Sequence, residues 1–337
     1  MNDRYDMISE RSAWRSGLIG GKEGLTMVLT PTHLAALDEL MNRTRNQPCE
    51  SITREQFDHP DLTPFLKQVS DELSKGRGAV ILKTLPIDRY SEDELTRMFW
   101  GMGVHLGVPA EQNTAGDRID HVRDMPSDNP LGRRQYSTQE LVLHTDSPVG
   151  EVLALLCMQT SKSGGRSQLA SALAVHNEMA ARHPELLDAL YVGFPYHRKG
   201  KQRAGDPLVT PFPVPVFSKI DGLVSVRYIR DYMEKAALNM GVDMPAVTRA
   251  ALDKFDEISN REDMSVTFML ERGEIMLVNN LTSLHARTEY EDHDEPEKKR
   301  HLVRLWIRVP NGRPYKPEMD LMYNDDPTKP SDAAVMS

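Results

Sequence analysis

The pattern His-x-Asp/Glu occurs five times in 337 residues: His59-x-Asp61, His144-x-Asp146, His176-x-Glu178, His183-x-Glu185 and His293-x-Glu295. Positions i and i+2 face the same side of a strand, so such a pair at a strand end can hold one metal ion. With 11 His and 50 acidic residues in the chain, several matches must be coincidence. Context separates them. His59-Pro60-Asp61 precedes a helical pattern and reads as a turn. His176 and His183 sit in or between helical stretches, where i and i+2 diverge. His293 lies in the charge run EYEDHDEPEKKR. Only His144-Thr145-Asp146 follows an apolar strand (ELVL) and leads at once into a turn.

A third ligand has to come from elsewhere, and His285 in EIMLVNNLTSLHART is the candidate, at the end of a short apolar stretch after an Asn-Asn turn. Two histidines and one carboxylate form the facial triad of non-haem iron oxygenases, which leaves metal positions open. Zinc accepts the same ligands. Arg300 and Arg304 follow in KKRHLVRLWIRV, four residues apart and so on one face of a strand, with Arg308 continuing it. Arginine is suited to bidentate recognition of carboxylates. Taken alone, the segment is equally compatible with a row of surface arginines on an edge strand.

The elements around these residues are of mixed type. Thr30-Pro31 opens a helix with Leu34, Leu37, Leu40 and Met41 on one face. Leu62, Phe65, Leu66, Val69 and Leu73 mark a second helix, stopped at Gly76, and Ser91 with Glu94 forms a capping box for a third. Residues 79–85 are an apolar run of strand length. From residue 134 on, short β-like runs at 152–158, 214–217, 223–228, 265–270, 275–278 and 302–309 alternate with helical stretches at 170–191 and 230–260. This is a β-rich α+β pattern, and no G-x-G-x-x-G follows a strand. The expected organisation is a partly helical N-terminal extension (1–60), one large domain (61–310) and an irregular tail (311–337).

Composition narrows the class further. The net charge of −9 argues against a nucleic-acid footprint. No apolar stretch is long enough to span a membrane, and the charged N-terminus lacks the apolar core of a secretory signal. Two cysteines suit a reducing compartment, so the expected location is cytoplasmic. Homo-oligomerisation is compatible with this composition.

The set HTDS, SGGRS (163–167), NNLTSLHART and KKRHLVRLWI, in this order, resembles the TauD/TfdA superfamily of Fe(II)- and 2-oxoglutarate-dependent dioxygenases. The resemblance covers about residues 75–310. It implies a double-stranded β-helix (jelly-roll) core with flanking helices and lid insertions. It implies Fe(II) on His144, Asp146 and His285, 2-oxoglutarate held by Arg300 and Ser167, and O2 as the second cosubstrate. Arg304 matches a position that often holds an acidic group of substrate or cosubstrate. The reaction implied is oxidation of an unactivated C–H bond with release of succinate and CO2. Hydroxylation is the default because Asp146 is present; desaturation or cyclisation stays open. The expected substrate is a small molecule, anionic or amino-acid-derived, with its carboxylate on Arg304. Segments 110–140 and 195–235 are the expected lids, with His197, Arg198, Lys199, Arg203, Arg227 and Arg230 as their basic residues. The alternatives are a zinc-dependent hydrolase on the same two histidines and aspartate, and a non-catalytic jelly-roll binding protein.

Overall fold

The computed structural model describes residues 5–112, 116–124, 136–146, 150–199, 202 and 205–320. Helices start where the sequence places caps. Thr30 Oγ1 accepts from the His33 N–H, with Pro31 in the first turn, and Ser91 and Glu94 cap each other's backbone N–H. The stretch 230–260 is two helices, Arg230–Met240 and Ala246–Ser259, because Gly241 turns left-handed (φ 66°) and Pro245 follows. The stretch 170–191 begins as the last residues of a strand and continues as helices Ala172–Arg182 and Pro184–Val192.

Two sheets carry the fold. The larger has seven strands among the described residues, with Thr26–Val28, Ala79–Lys83, Ile275–Asn279, Val152–Gln159, His301–Arg308 and Val108–Ala110 in spatial order, and Ile119–Val122 also paired to His301–Arg308. Its first pair is parallel and the other described pairs are antiparallel. The smaller has, among the described residues, four antiparallel strands in the order Ser265–Phe268, Ser167–Ser171, Ser283–Arg287, Leu141–His144. The strands alternate between two environments. Val303, Leu305 and Ile307 pack outward against helices Pro31–Thr44, Thr63–Ser74 and Glu92–Leu106. Their neighbour Leu302 turns inward with Ala79, Ile81, Cys157, Met276 and Val278 to meet Leu169, Val266 and Phe268 of the smaller sheet. The smaller sheet's outer face (Leu143, Ala170, Leu284, Ala286) is covered by the four later helices. The result is a mixed α and β fold with two facing sheets. No helix among the described residues is long and apolar enough to cross a membrane.

Residues 5–60 pack against the rest of the fold rather than standing apart from it. Thr26–Val28 is a strand of the large sheet, Leu37 and Leu40 are fully buried beneath it, and Trp14 and Leu25 lie in the layer between the sheets. An amphipathic helix needs an apolar partner, and here it covers the sheet's outer face. Residues 311–320 are also anchored: Arg313 holds Glu10 through two 2.7 Å bonds, and Met319 is fully buried. Residues 321–337 lie outside the described residues.

Trp14 tests this integration. It is 4% exposed, and its indole N–H donates to Arg77 O at 2.8 Å. Trp14→Ala is expected to lower unfolding free energy by about 3–5 kcal/mol in urea titrations. A loss below about 1 kcal/mol would return residues 1–60 to the status of a loose extension.

Candidate active site

One rung of the small sheet builds most of the site. His144 and His285 are directly opposite each other across the antiparallel pair Leu141–His144 and Ser283–Arg287. Directly opposed residues share a face, and the ring centroids are 4.3 Å apart. Asp146 joins them two residues after His144: its Oδ1 is 3.7 Å from His144 Nε2 and 3.8 Å from His285 Nε2. Cis ligands about 2.1 Å from one ion stand about 3 Å apart, so a small closure brings all three donors onto one metal. The His144 Nδ1–H donates to Val142 O at 2.8 Å, which leaves the Nε2 lone pair facing the cluster.

Protonation also suits a metal. Burial, and then His144 beside it, push His285 down to about 3, so its imidazole is neutral. Burial acts to raise Asp146, but the contact with the His144 ring and the field of Arg304 outweigh it and hold the carboxyl well below its ordinary range. A neutral imidazole and an ionised carboxylate are the forms that bind metal.

Asp146 is held from every side. Trp306 Nε1–H donates to Oδ2 at 2.8 Å, and Arg304 Nη1 is 3.7 Å from the same oxygen. The two carboxylate oxygens therefore have separate duties: Oδ1 faces the histidines and Oδ2 faces the donors. The Asp146 backbone N–H donates to Asn280 Oδ1 at 3.2 Å, and Arg227 donates to its carbonyl. Asn280 belongs to the Asn-Asn turn that leads into the His285 strand. Its amide also donates to Gly150 O at 2.9 Å, so this turn ties both ligand-bearing segments together.

Arg300 and Arg304 differ in their partners. Arg300 is 6% exposed; its guanidinium carbon is 5.2 Å from the Tyr290 ring, and its Nη1 has no partner among the described residues. Arg287 sits 4.7 Å from the same ring, and the Tyr290 hydroxyl is buried, likewise without a described partner. Burial lowers Arg300, and burial followed by the charge of Arg300 brings Arg287 down to about 10. Two buried cations and an unsatisfied phenol fit a small dianion. Gly165, at a left-handed φ of 68°, lies beside this cluster: a Cβ there would crowd Ser161 Oγ at 2.7 Å. Ser167 is buried on the next strand, in register with Arg287, while Arg166 is exposed and bonds Thr267 O. Arg304 is already occupied. Its Nε donates to Gln112 Oε1 and its Nη2 to Asp120 Oδ2, both at 2.7 Å. The expectation of a substrate carboxylate on Arg304 rested on a buried guanidinium needing an anion, and Asp120 is that anion.

The expected lid basicity is mostly neutralised within the protein. Lys199 pairs with Asp231 at 2.6 Å, and Arg230 with Glu234, Asp253 and Asp256 at 2.6–2.7 Å. Arg203 and much of 110–140 lie outside the described residues. Among the described residues, the other His-x-acid pairs gather no third ligand: His59 bonds Glu39 and His176 bonds Tyr191. A second group, Glu92, His121 and His301, was not apparent from sequence, and the Arg123 guanidinium already sits among these residues at 3.0–3.2 Å. Sequence reasoning also missed the roles of Gln112, Asp120 and Tyr290, and took Trp306 only as an apolar neighbour. No local pattern points to them, because their partners are distant in the chain.

The family model described as "Taurine catabolism dioxygenase TauD, TfdA family" matches residues 44–306. The chain belongs to this family. The TauD/TfdA-family chain is 30% identical over 316 residues to "FR-33289 synthase" of Streptomyces rubellomurinus, covering 91% of this chain and 92% of that protein. It is 27% identical to "Taurine hydroxylase-like protein SAT17" of Stachybotrys chartarum, covering 95% and 86%. Its fold is similar to asparagine oxygenase solved with Fe(II), 3-hydroxyasparagine and succinate (TM-score 0.68, 16% identity, 85% and 94% covered). It is also similar to the non-haem iron oxygenase OrfP solved with Fe (TM-score 0.63, 14% identity, 89% and 99% covered). This TauD/TfdA-family protein is an oxygenase that uses Fe(II) and 2-oxoglutarate.

The support around Asp146 can be tested at two points. Trp306→Phe removes the donor on Oδ2 while keeping an aromatic ring; Fe(II) affinity should fall about 10- to 100-fold in anaerobic titration. An unchanged affinity would show that the indole bond does not orient the carboxylate. Glu151 lies behind the Asn-Asn turn, accepting from the Asn279 side-chain amide and the Arg313 backbone N–H at 3.2 Å. Burial raises it to about 7, because the Arg313 guanidinium is committed to Glu10. A carboxyl raised in the folded state contributes stability below its unfolded value near 4.5 and loses it as pH rises through about 7. Melting temperature should fall across that window, and Glu151→Gln should flatten the fall.

Proposed function

We propose that this protein is a hydroxylase of a small, amino-acid-derived molecule, with 2-oxoglutarate converted to succinate and CO2. The convergence of His144, Asp146 and His285 on one side of the small sheet, next to an Arg300 that lacks a counter-anion among the described residues, supports this reading. His144, Asp146 and His285 would hold Fe(II). Arg300, backed by Arg287 and Tyr290, would hold the distal carboxylate of 2-oxoglutarate, with Ser167 beside it. When bound, this iron and cosubstrate pair supplies the oxidation of a C–H bond by O2. The chain's own residues set the geometry. Trp306 and Arg304 fix which Asp146 oxygen faces the metal. Val142 O fixes the His144 tautomer. The apolar layer between the sheets keeps bulk water from the far side of the site. The two facing sheets are read as a double-stranded β-helix, and the two free cysteines suit a cytoplasmic location. Two of the solved neighbours hold 3-hydroxyasparagine and L-Arg, which supports an amino-acid-like substrate.

A zinc hydrolase on the same ligands would have no use for Arg300. The deciding experiment is anaerobic titration with Fe(II) and 2-oxoglutarate, followed by succinate release in air. The visible charge-transfer band of the ternary complex should form in the native protein and vanish in His144→Ala and His285→Ala, while His183→Ala keeps it. Retention of the band in either of the first two variants would remove that residue from the ligand set. Arg300→Ala should raise the 2-oxoglutarate KM at least about tenfold, the loss of a charge-assisted pair worth about 1.4 kcal/mol or more. An unchanged KM would move the anchor elsewhere.

A further inference from the structure

Arg227 follows the strand Leu223–Val226 and is 1% exposed. Its backbone is rigidly placed: its N–H donates to Val216 O at 2.8 Å, the Tyr228 N–H donates to Thr145 Oγ1 at 3.0 Å, and the Thr145 N–H returns to Tyr228 O at 2.8 Å. These bonds stitch Arg227 to the residue immediately before Asp146. The guanidinium donates through Nη1 to the Asp146 carbonyl and lies 5.9 Å from the Tyr196 ring. Its Nε and Nη2 are buried with no partner among the described residues.

Those two nitrogens form one edge of the guanidinium. Their N–H bonds run parallel, and this edge grips the two oxygens of a carboxylate in a bidentate pair. Arg304 shows the same edge in use: its Nε and Nη2 are filled by Gln112 and Asp120. No described residue fills the edge on Arg227. A buried guanidinium without a counter-anion is costly, so its retention beside a metal-ligand residue calls for an anion from outside the described protein atoms. Holding a single carbonyl does not account for it, because that needs one donor and no charge.

Building on the iron-oxygenase reading above, we infer that the Nε/Nη2 edge of Arg227 binds a carboxylate or similarly bidentate oxyanion of the primary substrate. Arg227, and not Arg304, then selects for an anionic substrate. Because Arg227 is anchored to Asp146, a substrate held on it is placed relative to the metal by the same contacts that place the carboxylate ligand. Arg300 serves the cosubstrate and stands at the Tyr290 end, so the two anions have separate cations.

The test uses native protein loaded anaerobically with Fe(II) and 2-oxoglutarate. The probes are matched pairs: a panel of N-acetyl amino acids and their methyl esters. Binding is read by calorimetry, and the charge-transfer band reports separately on the metal and cosubstrate site. The acids are expected to bind at least about tenfold more tightly than their esters. Arg227→Gln should abolish that preference while keeping the band, and Arg227→Lys should restore part of it. A native protein with no preference for acids, including one that binds neither series, overturns the inference. So does a preference that survives in Arg227→Gln. If Arg227→Gln loses the band and Arg227→Lys regains it without regaining any acid preference, Arg227 only positions Asp146 and the inference is again overturned. Absence of the band in the native protein would instead sink the iron and 2-oxoglutarate reading, while the calorimetric comparison of acids and esters would still decide the role of Arg227.

Discussion

A half-buried, ionised carboxylate is the constraint around which this structure is arranged. Asp146 stays charged inside the protein because donors and a cation surround it: the Trp306 indole and Arg304 on Oδ2 and the Arg227 guanidinium on its carbonyl, while Oδ1 faces the two imidazoles and the backbone N–H donates to Asn280 Oδ1. Each of these partners is itself fixed. Arg304 is held by Gln112 and Asp120, Asp120 accepts from the Tyr136 hydroxyl, and Asn280 is pinned to Gly150 O. A carboxylate in low dielectric is destabilised unless such a shell is complete, so the shell and the metal site are one construction.

The two sheets serve this construction in different ways. The small sheet supplies the ligands, since one antiparallel rung sets His144 against His285. The large sheet supplies support from the opposite side: its strand His301–Arg308 sends Arg304 and Trp306 inward while Val303, Leu305 and Ile307 bind the outer helices. The alternation of this strand thus couples the packing of the helical layer to the orientation of the metal carboxylate. A shift of one residue in its register would exchange these two sets of side chains. The N-terminal segment belongs to the same arrangement, since helix Pro31–Thr44 covers the outer face and Trp14 fills the gap between the sheets.

Much of the site was legible from local chemistry. His144-x-Asp146 stood out because a strand end and a turn flank it. The four other His-x-acid pairs lacked that setting, and the described residues give them no third ligand. Arg300 and Ser167 were singled out only through the resemblance of the motifs surrounding them, and their cosubstrate role is the one proposed above. Arg304 was legible as a buried arginine but not by its partner: Asp120 lies across the fold on a strand that sequence patterning treats as part of a lid. Arg227 was read as one of several loop charges, because burial is not visible in a single basic residue between short apolar runs.

The sequence by itself determined the residue types able to bind a metal, the helix caps at Thr30 and Ser91, and the β-rich α+β character, because these follow from spacing and backbone preference within a few residues. The tertiary structure alone decided which arginine has a counter-ion among the described residues and which does not. It also decided that Trp14, Leu25, Leu37 and Leu40 of the N-terminal segment join the core, and that Trp306 shares in orienting Asp146. Each of those outcomes depends on contacts between segments tens to hundreds of residues apart. Burial and pairing of charge are properties of such contacts, and no local pattern encodes them.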